Sequence, residues 1–118
     1  MNPWAWRIVG GLQTVEERAW KPFWRGMLWI HASHDMDMSA PRELWPPRGQ
    51  LVTSAIIGHV TLADVDGRPG QWRWILTDPY QLAAPMTGVY EHPGLWLIDL
   101  PPRLSAGRNT PRPIWQDE

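Results

Sequence analysis

Polar and apolar positions alternate in several separate runs. From 14 to 20, Thr14, Glu16, Arg18 and Trp20 fall on one side of an extended strand, with Val15 and Ala19 on the other. The same period of two runs through 25–33. Leu28, Ile30 and Ala32 share one face there, and Met27, Trp29, His31 and Ser33 the other. Residues 54–64, rich in Ile, Val and Thr, predict a third strand. The cluster Asp66-Gly67-Arg68-Pro69-Gly70 predicts a turn, and Trp72, Trp74 and Leu76 on one face of 71–77 predict a fourth strand. Residues 94–100 predict a fifth. Ahead of these strands, residues 3–11 predict a short helix with Pro3 in its first turn and a stop at Gly10-Gly11. A second short helix starts at Ser39 and is stopped by Pro46-Pro47. The expected fold is α+β: a small mixed β-barrel of about five strands with two short helices.

The chain has 118 residues, enough for one domain with a core of its own. That domain is expected over 1–100, and the Pro- and Arg-rich stretch 101–118 as a tail that is flexible or laid along the surface, with Trp115 as an anchor if it gains order on binding. Ten tryptophans stand against one phenylalanine. Cysteine is absent, which excludes disulfides, thiolate metal sites and a thiol nucleophile. No apolar run approaches the ~18 residues of a membrane span, and Arg7 alone does not make a secretory leader. The expectation is a soluble, cytoplasmic protein with no membrane contact.

A formal net charge of −1 excludes a global basic field of the kind that holds duplexes non-specifically. Arg7, Arg18, Lys21 and Arg25 nevertheless gather in the first quarter of the chain. Short, aromatic-assisted contacts to an unpaired strand suit that balance.

The segment around these basic residues resembles a known family. Gly11, Glu16 and Arg18 match the G-x-K-x-x-E-x-R signature of the ASCH domain, with Gln13 where the lysine falls. Pro3-Trp4-Ala5 is similar to the family's helix start, and Arg25-Gly26-Met27-Leu28-Trp29-Ile30-His31-Ala32-Ser33 to its second strand. Residues 54–60, 74–79 and 94–96 resemble its later strands, so the likeness runs over 3–100. The resemblance implies a PUA-like barrel that handles RNA or modified nucleotides in a cleft between helix one and the barrel. Some members are reported as ribonucleases, and others deacetylate N4-acetylcytidine with the signature lysine in the catalytic set. Gln13 donates a hydrogen bond but neither carries that charge nor shuttles that proton, which weakens the amidohydrolase reading here.

The candidate binding set is therefore Gln13, Glu16, Arg18, Trp20, Trp24 and Ser33. Glu16 and Arg18 lie two apart on a strand, where they either pair with each other or face a common ligand. Arg18 suits phosphate or a base edge, Glu16 an exocyclic amine, and Trp20 or Trp24 a base face. For RNA cleavage, His31 and Lys21 are the catalytic candidates. His31 and His34 point to opposite faces of a strand, so no metal site is expected, and no cofactor. Trp4, Trp72, Trp74 and Trp96 are expected in the core. The expected partner is single-stranded RNA or a modified nucleoside; a protein partner held through the C-terminal tail is the reading from another class.

Overall fold

A computed structural model describes residues 2–22, 24–47, 49, 51–89, 94–98 and 112–116, the last two segments as backbone. Six strands form one sheet in the order β1-β4-β3-β2-β6-β5. They are β1 (Val15–Arg18), β2 (Gly26–Ala32), β3 (Ala55–Arg68), β4 (Gln71–Thr87), β5 (Gly94–Ile98) and β6 (Arg112–Gln116). All pairings are antiparallel except β2 with β6.

The expected five-stranded PUA-like barrel with two helices is thus corrected. Among the described residues β1 and β5 each pair on one side only, so the sheet is open. Among the described residues the one α-helix is α1 (Trp4–Val9); the stretch begun at Ser39 yields a single 3₁₀ turn, Arg42–Leu44. Pro41 precedes that turn with no side-chain cap, and Trp45 is already extended, as the residue before a proline prefers. Within the stretch taken for a tail, Arg112–Gln116 forms β6, wedged between β2 and β5. The side chains of Trp96 and Trp115 lie outside the described residues.

The long β3–β4 hairpin sets the geometry. Its register shifts three times: Ala63 is extra on β3, Asp78-Pro79 oppose Val60 alone, and residues 82–85 oppose Ile57 alone. Each such mismatch bends the strand and raises its twist. Asp78 takes φ 52°, a left-handed conformation that Asp tolerates.

One sheet face is closed by α1. Ala5, Ile8 and Val9 pack there on Leu28, Ile30, Ile57, Leu62, Trp74 and Leu76, all buried. Gly58 makes the close approach possible, since a Cβ at that position would overlap the Tyr80 carbonyl oxygen and press on Val9. The opposite face holds a smaller cluster of Trp29, Ile56 and Val89, flanked by Met27, Leu82 and Met86.

Candidate functional site

The end of α1 delivers the signature residues. Gly10 N–H donates to Trp6 O and Gly11 N–H to Ile8 O, while Leu12 and Gln13 N–H both donate to Arg7 O. These bonds satisfy the carbonyls a helix end leaves open and fix where Gln13 begins. Gly11 has φ 76°, and a Cβ on it would stand 3.2 Å from the Pro79 ring, so the turn runs close beneath β4.

Gln13, Glu16 and Arg18 do come together. Glu16 is 4% exposed and sits opposite Trp74 in the β1–β4 ladder. Gln13 Nε2 donates to Glu16 Oε1, and Arg18 Nη2 lies 3.0 Å from Glu16 Oε2. Arg18 Nη1 also donates to Glu17 O at 2.7 Å. A carboxylate accepts only, so the Gln13 amide must turn its NH₂ toward Glu16 and its carbonyl oxygen away. The cluster therefore presents an acceptor, Gln13 Oε1, beside a guanidinium whose side chain keeps 21% of its surface. Each oxygen of Glu16 has one partner within the cluster, Gln13 on Oε1 and Arg18 on Oε2.

The two tryptophans expected to stack on bases are partly buried, each packed against the α1-side core with part of its surface exposed. Trp20 meets Trp74 edge to face with ring centroids 4.8 Å apart, and Trp20 O accepts from Trp74 Nε1 at 3.3 Å. Trp24 packs against the α1-side core and donates from Nε1 to Met27 O at 2.9 Å. Lys21 Nζ stands 5.0 Å above the Trp72 ring, a cation–π contact at the protein surface. Ser33 is fully buried; its Oγ accepts from Asp35 N–H and its carbonyl accepts from Asn2 Nδ2. His31 is fully buried as well, with Nε2 2.7 Å from Val89 O. Burial removes His31 from any polymer substrate, and its ring ties β2 to Val89, two residues past the end of β4. Of the expected core tryptophans Trp74 is fully buried, whereas Trp4 and Trp72 are half-buried. The Ser39 hydroxyl and Ser39 N–H donate to Asp37 Oδ1 and, with a smaller contribution from Trp4 Nε1 on Oδ2, hold the Asp37 carboxyl below its ordinary pKa.

A groove opens on the α1 side. Trp6, Arg7 and Leu12 form one wall, Leu44 and Trp45 the other, and Gln81 of β4 completes it, around about 250 Å³. It shares Trp45, Pro46 and Pro47 with a neighbouring hollow of about 480 Å³ that reaches Met38 and Arg42. Space of this order fits a small planar ligand. Arg7, Trp45 and Gln81 were not among the sequence candidates. The available signals were weak ones: an arginine in the last turn of a short helix, and a tryptophan directly before Pro46-Pro47.

No protein-family model matches the chain, and no curated protein matches it. No helix among the described residues is long and apolar enough to cross a membrane.

Proposed function

We propose that the protein binds single-stranded RNA or a modified nucleoside in the groove between α1 and residues 42–47. The observation that carries this reading is the hydrogen-bonded cluster of Gln13, Glu16 and Arg18, which lies outside the groove lining and begins one residue along the chain from Leu12 of its wall. Gln13 Oε1 accepts from an exocyclic amine, and Arg18 supplies a planar cation for phosphate or a base edge. Trp45, half-buried and anchored by its Nε1 on Ala40 O at 3.2 Å, offers an aromatic wall, and Arg7 a second cation. The resemblance of these signature residues to the ASCH domain supports the same reading. Of the groups weighed for hydrolysis, Gln13 is an amide and His31 is enclosed, while Lys21 stays exposed over the Trp72 ring.

The test is fluorescence anisotropy of a labelled mixed-sequence RNA at low salt. Wild type should bind saturably, and Trp45→Ala and Arg7→Glu should each weaken binding at least fivefold with the fold intact by circular dichroism. Equal affinity in all three proteins would overturn the groove.

A further inference from the structure

β4 changes character along its length. β1 pairs with it only from Trp72 to Ile75, with one more hydrogen bond from Leu76 N–H to Thr14 O. Beyond that point, among the described residues, β4 pairs with β3 alone and runs as a bare sheet edge. A row of three rings ends at this edge. Trp29 of β2 faces His59 of β3, and His59 faces Tyr80 of β4, each as a register partner. Trp29 and His59 meet edge to face, with centroids 5.0 Å apart and planes at 84°. His59 and Tyr80 lie flat on each other, 4.9 Å apart with planes at 13°.

Tyr80 is 53% exposed although one ring face rests on His59, so its outer face and rim make up that exposure. Burial pushes the His59 imidazole below its ordinary pKa, so the inner ring of the stack is neutral at neutral pH. A neutral stack ending in an open phenol face at a sheet edge suits a flat heteroaromatic ligand, and every nucleobase has such a face.

The neighbour of Tyr80 decides what that ligand belongs to. Gln81 lines the α1-side groove, and adjacent residues of a strand point to opposite sides. The groove and the Tyr80 ring therefore flank the same bare stretch of β4, one residue apart, with no strand between them. We propose that Tyr80 is a second base position, and that the ligand is a single-stranded oligonucleotide of two or more nucleotides that turns around the β4 edge. One base occupies the groove and the next stacks on Tyr80. This inference rests on the groove reading and narrows it, because a free nucleoside fills only the first position.

Calorimetric titration of cytidine 5′-monophosphate and of a mixed-sequence ten-nucleotide RNA into the full chain tests it. Wild type should prefer the RNA by more than tenfold. Tyr80→Ala should weaken the RNA about tenfold and leave the mononucleotide unchanged, while Tyr80→Phe should keep wild-type affinity for both. RNA binding that is equal in wild type and Tyr80→Ala, yet lost in Trp45→Ala, would overturn the second position and keep the groove. RNA binding lost in Tyr80→Ala but retained in Trp45→Ala would support the Tyr80 position and overturn the groove. A wild-type protein that binds neither probe would overturn both.

Discussion

Two aromatic residues on β4, six positions apart, have opposite fates. Trp74 is fully buried, flanked by β1 and β3, with its ring against Trp20 and its Nε1 on Trp20 O. Tyr80 is half exposed, on a stretch where β1 has ended and β3 is its described neighbour. Strand pairing alone does not make core, since Trp72 lies between the same two strands and is only half-buried; Trp74 is core because Trp20 and the α1-side cluster cover its face. The same boundary separates the polar groups. Beside Trp74, Glu16 spends both carboxylate oxygens on Gln13 and Arg18, as a nearly buried charge must. Past the end of β1, Pro79 sits at a register shift, and a residue without an N–H is tolerated on an unpaired edge.

The sharpest way to break this contrast is to truncate both rings. Trp74→Ala should cost about 3–5 kcal/mol of stability, the usual loss for a large buried aromatic. Tyr80→Ala should cost less than about 1 kcal/mol, as surface substitutions do. Urea unfolding of the two variants decides it, and losses of equal size would mean that the edge half of β4 is as embedded as the paired half.

A smaller effect separates the charged pair from the aromatic one. Arg18→Leu leaves the Glu16 carboxylate, 4% exposed, with Gln13 as its partner in the cluster. Stranding one member of a buried pair costs about 3–5 kcal/mol. Arg18 keeps 21% of its side chain in solvent, so about 2 kcal/mol is expected here. The double variant Glu16→Leu/Arg18→Leu should recover part of that loss in the same denaturation experiment, since it removes the stranded charge. A double variant worse than Arg18→Leu alone would show that the pair itself stabilises the junction.

The paired half of the fold was the legible half. Alternation over 14–20 and 25–33 contains β1 and β2, and the turn cluster at 66–70 marks the β3–β4 hairpin, because burial of one face writes a period of two into a strand and a Gly/Pro cluster marks a turn. Residues 78–87 carry no strand pattern, since Pro79 and Pro85 break an alternation that bulges and a missing neighbour allow. β6 stayed hidden among prolines and arginines for a related reason: it joins the sheet through its parallel register with β2, a long-range contact that local pattern does not encode. At the site, spacing alone put Glu16 and Arg18 on one face and left open whether they would pair. The structure pairs them. The contact of Trp20 with Trp74 was not legible, because an indole beside a basic residue reads the same whether it faces solvent or packs on another ring. Tyr80 gave no signal at all, since its partner His59 lies in a different strand and only the register brings the two rings together.

The mildest test of the contrast is acid. His59 has its pKa lowered by burial from an ordinary value of 6.5, and the rings packed on it are those of Trp29 and Tyr80. Below that value the unfolded chain binds a proton that the folded chain resists. Folding stability therefore holds above about pH 6.5 and falls as the pH drops through the lower folded-state value, by at most about 1.4 kcal/mol per pH unit for one proton. His59→Phe keeps a flat ring between Trp29 and Tyr80 and should remove this component of the acid sensitivity. Guanidinium unfolding at pH 7.5 and pH 5.5 compares the two proteins. Wild type should lose more stability than His59→Phe between these values, and an identical loss would mean that the imidazole is as well solvated in the folded ladder as in the open chain. In that case the Tyr80 stack would itself be loose, and the edge half of β4 would hold its rings less firmly than the flat 4.9 Å contact implies.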